Sequence, residues 1–380
     1  MKRHPDHRVA RLLDSSTSRR GLLRGGARLG AGLAGLGLLL SNDWGRPVYA
    51  VGRPVGSAQA GQVLVRTPGG AYEDAWRKAA WEPFAAETGI QVVPIATNAA
   101  KIQAMVESGN IELDVLDSGE LVAALFARRG ALESIDKSRF SRTNPADVSP
   151  WNEAYTGNIA YATVLGYNTE TFASGHPTSW AEFWDVAKFP GARSLQDAAA
   201  EFPNLEQALL ADGVALNALY PLDVDRAFNK LKTIRRSIVK WWDSGAVSAQ
   251  LMADKQVVLS SIWNGRIQVP IDQGAPLAIE WNQAQHLLQI FGIMKGAPNL
   301  DNAYRYIDFC LSPRVQAAFA KEIPYGPANK QAFEFIDTAT AARLPTAPDK
   351  LPTAFVTNIN WWVDNQQKVI ERWQEFLLEA

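Results

Sequence analysis

The sequence predicts a two-lobed α/β protein whose chain crosses twice between its lobes. Three observations predict it. Short β-rich runs alternate with amphipathic segments from residue 62 onward, the signature of strand–helix–strand units. Two apolar runs, Ile159 to Tyr167 and Leu287 to Met294, read as strands buried on both faces and placed to carry the chain out of the first lobe and back. The length, 380 residues, fits two domains at about 100 to 200 residues each, with a segment left over.

That leftover segment is N-terminal. Arg19-Arg20 is followed by an apolar, glycine-rich stretch from Leu29 to Leu40 and then by small-residue cleavage sites, the order of a twin-arginine export signal. Cleavage is expected after Ala50 or after Ala60: Val48-Tyr49-Ala50 lies at the usual distance, and Ala58-Gln59-Ala60 fits the small-x-small pattern better. The apolar run is far shorter than the roughly 20 residues a membrane span needs. The expected destination is the periplasm.

The first lobe is expected to open with a strand at Gln62 to Arg66, a Thr67-Pro68-Gly69-Gly70 loop, and a helix whose Tyr72, Trp76, Ala80 and Phe84 share one face. Gly89 stops that helix before a strand at Gln91 to Ile95. A helix near Lys101 to Glu107, a strand at Leu113 to Leu116, a turn at Asp117-Ser118-Gly119 and a helix to about Arg129 complete the series. In such sheets ligands lie beyond the carboxyl ends of the strands, here the loops at Thr67 to Gly70 and Asp117 to Glu120.

The second lobe reads as helices at Trp180 to Val186, Leu205 to Ala211 and Val224 to Arg236, followed by strands at Ile238 to Trp242, Val257 to Ile262 and Leu277 to Trp281. After the returning strand come helices at about Asn302 to Cys310, Ser312 to Lys321 and Trp361 to Leu378. The expected division is 1–60 for signal and linker, 61–162 with 290–380 for lobe 1, and 163–289 for lobe 2.

Composition excludes several functions. The first 60 residues hold ten Lys and Arg against three Asp and Glu, so the remainder carries a net charge of about −8. That balance disfavours nucleic acid, whose phosphates demand cationic side chains, and mildly favours a cationic ligand. One cysteine, Cys310, precludes an intramolecular disulfide, and its apolar neighbours mark it as a buried, inert thiol. Beyond residue 60 only His176 and His286 remain, with no nucleophile elbow and no His-x-x-x-His spacing. Catalysis, a metal and a cofactor are therefore not expected, and a monomer is.

Aromatic residues are the richer signal. Trp241 and Trp242 precede Asp243-Ser244-Gly245, Trp263 precedes Asn264-Gly265, and Trp281 precedes Asn282. An indole at such a place either packs under its loop or offers a ligand a flat face, worth about 0.5 to 2 kcal/mol to a cation.

These stretches, Trp241-Trp242-Asp243-Ser244-Gly245, Trp263-Asn264-Gly265-Arg266 and Ile323-Pro324-Tyr325-Gly326-Pro327, with Glu87-Thr88-Gly89 and Trp361-Trp362, carry a resemblance. From about Gln62 to Leu378 the chain resembles the periplasmic spermidine/putrescine-type solute-binding proteins of ABC transporters. The resemblance implies a type II periplasmic binding protein fold, a cleft that closes on a solute, and delivery to a membrane permease. Trp263 and Tyr325 match aromatic positions of that family. Where its members carry an acid and a tryptophan on the returning strand, this chain has Gln289 and Leu287, and an acidic pair in the second lobe falls at Ala198 and Glu201. Asp117 and Glu120 either compensate or serve as helix N-terminal charges.

The expected ligand site thus joins Thr67, Gly69, Tyr72, Ser118 and Glu120 of one lobe to Glu201, Trp242, Ser244 and Trp263 of the other, with Gln289 and Tyr325. The leading ligand is a polyamine or related organic cation. The alternatives are a non-cationic small solute and, less favoured, an exported enzyme on the same scaffold.

Overall fold

A computed structural model describes residues 39–41, 47–49 and 61–379. In the N-terminal segment two three-residue strands, β1 (Leu39–Ser41) and β2 (Pro47–Tyr49), pair antiparallel. The arginine pair and both cleavage sites lie outside the described residues.

The main body is built on one mixed sheet. Its principal strands are β3 (Gln62–Arg66), β4 (Gln91–Ile95), β5 (Val115–Gly119), β6 (Tyr155–Asn168), β7 (Arg193–Gln196), β8 (Ile238–Trp242), β9 (Leu259–Trp263) and β10 (Leu277–Ile293). They lie in the order β4-β3-β5-β10-β6-β9-β7-β8, and β11 (Gly326–Pro327) and β12 (Phe355–Val356) add to β6 and β10. β3 runs parallel to β4 and β5, and β7 runs parallel to β8 and β9, as helical crossovers require. The central pair, β6 and β10, is antiparallel along its length. β5 joins β10 only from Gln289 on, whereas β9 joins β6 only from Thr163 on. One pair of strands therefore serves both lobes.

Helices of the first lobe are α1 (Gly70–Trp76), α2 (Glu82–Thr88), α3 (Ala99–Ser108) and α4 (Glu120–Arg128). α1 runs into α2 through a π-helical turn at Arg77–Trp81, and Tyr72, Trp76, Ala80 and Phe84 are each at most 3% exposed, as their four-residue spacing demands. Gly89 ends α2 at φ 74°, its N–H donating to the Ala85 carbonyl. The other lobe carries α5 (Trp180–Trp184), α6 (Leu205–Ala211), α7 (Val224–Ile234), α8 (Gly245–Ala253) and α9 (Asn264–Asp272). After β10 come α10 (Leu300–Cys310), α11 (Pro313–Glu322), α12 (Thr338–Arg343) and α13 (Ile359–Leu378). Cys310 is fully buried, and burial pushes its thiol well up.

The structure departs from the sequence reading where polar residues were taken for turns. Leu277–Trp281 and Leu287–Met294 belong to a single strand, and the break between them is an irregularity between Glu280 and Gln285 with Gln283 at φ 61°. A bulge absorbs extra residues without ending the pairing. Asp117-Ser118-Gly119 is the end of β5, not a turn. Ser244-Gly245 and Asn264-Gly265 open α8 and α9: Ser244 is the cap of α8, whereas Asn264 is the first residue of α9 and spends its side chain on the Ala162 N–H and the Pro324 carbonyl. β7 escaped notice because its Arg193, Ser194 and Gln196 are polar, yet all three are fully buried.

Candidate ligand-binding site

The carboxyl ends of β3 and β5, the turn after β7, and the β9–α9 junction meet one another through their side chains, at the place where the sequence predicts the ligand cleft. β3 ends in Arg66, whose guanidinium donates to the Asp117 carbonyl at 2.7 Å and the Thr97 carbonyl at 3.4 Å. Thr67 follows, buried, its Oγ1 accepting from the Gly69 N–H at 3.2 Å. Gly69 and Gly70 both have positive φ, 70° and 60°, a conformation that side-chain-bearing residues resist. Their loop thereby turns the Gly69 carbonyl toward Arg266, in the first turn of α9, whose Nη2 donates to it at 3.1 Å.

Arg266 is 6% exposed. Among the described residues it makes no ion pair, and its Nε has no hydrogen-bond partner. The first turn of α9 is fixed by Asn264, which donates to the Pro324 carbonyl at 2.7 Å and accepts from the Ala162 N–H at 2.9 Å. Tyr325 packs where a Cβ on Gly265 would lie, and burial pushes its phenol up to about 12 against the opposing pull of Arg266.

Two carboxyl groups enter the cleft under opposite circumstances. Asp117, in β5, accepts from the Tyr72 hydroxyl at 3.0 Å, from Gln289 Nε2 at 2.8 Å and from Asn158 Nδ2 at 3.3 Å. Burial nevertheless pushes it up to about 7. Glu201, in the turn after β7, accepts no hydrogen bond and joins no ion pair among the described residues, and it too is pushed up to about 7 by burial, with Arg66 pulling the other way. Its backbone adopts φ 85°, ψ −56°, the rare, strained γ-turn conformation. The carboxylate lies against Gly119, where a Cβ would collide with it. Gly119 thus makes room for Glu201.

The remaining expected residues divide between cleft and support. Tyr161 of β6 contacts Trp263 edge-on at 5.8 Å and Tyr325 at 6.1 Å, linking the aromatic wall across the crossing strand. Trp263 is half-buried, and its indole N–H has no partner among the described residues. Trp242 stands behind it, ring centroids 5.4 Å apart, fully buried with its N–H donating to the Ser261 carbonyl at 2.8 Å. Ser244 caps α8, accepting from the Val247 N–H at 3.4 Å. Ser118 is buried in β5 and donates to the Gly119 carbonyl at 3.2 Å. Glu120 accepts from the Tyr155 hydroxyl at 3.2 Å and is held above its ordinary range by burial. Gln289 faces Asp117.

Sequence reasoning missed Arg66, Arg266 and Tyr161. Arg66 had a visible signal, a cation at the carboxyl end of an apolar strand. Arg266 sat inside a segment read as a turn, so its burial was not legible.

A meeting of an unpaired guanidinium, an unpartnered carboxylate and aromatic rings suits capture of a small polar solute. Residues 79–348 match the family described as bacterial extracellular solute-binding protein. The chain belongs to that family. This solute-binding protein is 35% identical over 326 residues to a gamma-aminobutyric acid-binding protein of Pseudomonas aeruginosa, covering 83% of the chain and 90% of the relative. It is 25% identical over 282 residues to a spermidine/putrescine-binding periplasmic protein of Escherichia coli, covering 70% and 79%. A crystal structure of an ABC transporter substrate-binding protein from Bradyrhizobium japonicum matches with a TM-score of 0.77 and 36% identity, over 83% of this chain and 99% of that one. The fold is accordingly that of two-lobed periplasmic solute-binding proteins, and the role is that of an ABC-transporter substrate-binding protein. The names of its relatives cover gamma-aminobutyric acid as well as spermidine and putrescine, so the family does not fix the ligand as a polyamine.

Proposed function

We propose that this solute-binding protein captures a small amphoteric solute, one with an ammonium group and a carboxylate, of which 4-aminobutanoate is the lead, and hands it to a membrane permease. One observation carries the reading: a buried guanidinium without a counter-anion, Arg266, and a half-buried carboxylate that accepts no hydrogen bond among the described residues, Glu201, lie on the two sides of the same site. An unpaired buried cation is costly, an unpartnered carboxylate is free to accept, and a solute bearing both complements answers both at once. The identity with a gamma-aminobutyric acid-binding protein supports it independently.

A polyamine fits less well. Asp117 is already engaged by Tyr72, Asn158 and Gln289, and Glu120 by Tyr155, which leaves Glu201 as the free carboxylate for a dication that Arg66 and Arg266 would repel. Trp263, Tyr161 and Tyr325 supply the apolar wall for the methylene chain. Thr67, Gly69, Gly119 and Arg66 form the first-lobe side, while Trp242, Ser244 and Gln289 hold neighbours in place. We place the crossings between the lobes near residues 162 and 290, supported by the points at which β9 leaves β6 and β5 leaves β10, with α13 reaching back to pack on α7 and β8 of the second lobe instead of staying wholly with the first as the expected 290–380 implies. Export of a monomer through a twin-arginine signal at Arg19-Arg20 completes the reading.

Calorimetry and thermal shift with 4-aminobutanoate, butanoate and putrescine test it. The amino acid is expected to stabilise the protein by about 2.7 kcal/mol at a hundredfold excess over Kd, with the other two binding at least about tenfold more weakly. Tighter binding of putrescine than of the amino acid refutes the amphoteric reading.

A further inference from the structure

The strained turn that presents Glu201 is held from behind. Asp197 caps it, Oδ1 accepting from the Ala199 N–H at 2.8 Å, and the Glu201 N–H closes it on the Ala198 carbonyl at 3.1 Å. The C-terminal helix α13 then grips both sides. Trp373 Nε1 donates to Asp197 Oδ2 at 3.3 Å, four residues before Glu201. The fully buried Trp362 packs edge-on against Phe202, the next residue after Glu201, at 5.1 Å. Its Nε1 also donates to the buried carboxyl of Glu206 at 2.8 Å, five residues beyond Glu201.

α13 is itself fixed to the second lobe. The Trp373 ring meets Trp241 of β8 at 5.1 Å and Phe228 of α7 at 6.2 Å, and Arg235 donates to the Phe376 carbonyl. Its contact with the first lobe includes an exposed ion pair, Arg128 with Asp364 at 2.8 Å. Exposed pairs contribute little, and the buried aromatic side anchors α13 behind the turn that carries Glu201.

We propose that α13 positions the Glu201 carboxylate for the ligand's ammonium group, with Trp362 and Trp373 as the positioning residues. A γ-turn of positive φ persists only where its surroundings over-determine it, and the two indoles supply that constraint from outside the cleft. The inference rests on the amphoteric-solute reading and adds to it a determinant that no ligand touches.

The test uses the mature chain carrying Trp362→Phe and Trp373→Phe, which keep an aromatic ring at each place and remove the indole donors, with Glu201→Gln as benchmark. Affinities are measured for 4-aminobutanoate and for butanoate, which lacks the ammonium group. The double Trp variant is expected to weaken 4-aminobutanoate about threefold to tenfold and leave butanoate unchanged, and adding Glu201→Gln is expected to cost less than it does alone, as coupled positions should. Equal losses for both solutes, or no loss for the amino acid, overturn the proposal. If the double variant does not fold, Asp197→Asn serves instead: its Oδ1 still caps Ala199, while its amide offers Trp373 no acceptor, and the same selective loss is expected. Failure of Glu201→Gln to weaken the amino acid sinks the amphoteric reading, and this proposal with it. Loss in Glu201→Gln without loss in the Trp and Asp197 variants sinks this proposal alone.

Discussion

Asp117, buried, and Glu201, half-buried, are both carboxyl groups at the site, both pushed up to about 7 by desolvation, one in each lobe. Asp117 is surrounded by donors from Tyr72, Asn158 and Gln289 and behaves as part of the scaffold. Glu201 has none, and its backbone is strained. A perturbed pKa therefore does not separate a ligand contact from a structural acid. Unsatisfied hydrogen-bonding capacity does, since a partly accessible carboxylate with no protein donor is free to take one from a ligand. The two indoles repeat the contrast: Trp242 donates to Ser261, whereas Trp263 has no partner among the described residues.

The indole pair offers the largest effect. Trp242→Ala is expected to lower stability by about 3 to 5 kcal/mol, the cost of emptying a buried aromatic site. Trp263→Ala is expected to reduce affinity by more than about 1 kcal/mol with a smaller fall in Tm. Melting curves and calorimetry on the same two proteins check this, and a Trp263→Ala protein with intact affinity breaks the contrast. Arg266 comes next. Arg266→Gln is expected to cost roughly 2 to 5 kcal/mol of binding to an amphoteric solute, as loss of one partner of a buried charge pair does. The ligand-free protein should hold or gain Tm, because an unpaired buried charge is gone. A lowered Tm with unchanged affinity would make Arg266 a structural residue bound to Gly69.

How much of this the sequence disclosed follows the same division. The crossing strands and the α1–α2 face were legible, because periodicity reports local burial directly. The helices α8 and α9 were not, since Ser244 and Asn264 carry the same signal as turn residues and only tertiary packing decides. Gln289 had drawn attention as an absent acid; the structure supplies the physical reason, because a carboxylate there would face Asp117 across 2.8 Å. Trp242 and Trp263 look alike in sequence. Which one finds a carbonyl for its N–H depends on β9, 19 residues away in the chain, and no local pattern encodes that.

The carboxyl pair gives a smaller effect and a cleaner separation. Glu201→Gln is expected to weaken the amphoteric solute by about 1.5 to 3 kcal/mol, the range for hydrogen bonds to charged groups, with Tm held or raised. Asp117→Asn presents an amide where three donors converge, so its expected signature is the reverse: a fall in Tm and a lesser change in affinity. Calorimetry and melting curves on both variants decide it. If Asp117→Asn loses the larger share of affinity, the satisfied acid is the ligand contact and the contrast is inverted.

The smallest effect is in pH, where both acids move stability alike and Glu201 alone moves binding. Each has a folded pKa of about 7, above the ordinary values of 3.8 for Asp117 and 4.5 for Glu201. Between those values and about 7 the ligand-free folded chain holds protons that the unfolded chain has released. Both groups therefore make stability fall as pH rises through that window and level off above it. Binding runs the other way for Glu201 alone, because an ammonium group needs the ionised carboxylate. Affinity for the amphoteric solute is expected to rise by up to about tenfold per pH unit below pH 7 and to level off above it. The rise should survive in Asp117→Asn and vanish in Glu201→Gln, while each variant should flatten part of the stability slope. An affinity that still climbs toward pH 7 in Glu201→Gln assigns the titrating group to Asp117, and the ligand's ammonium would then have to be sought on the first-lobe side of the cleft.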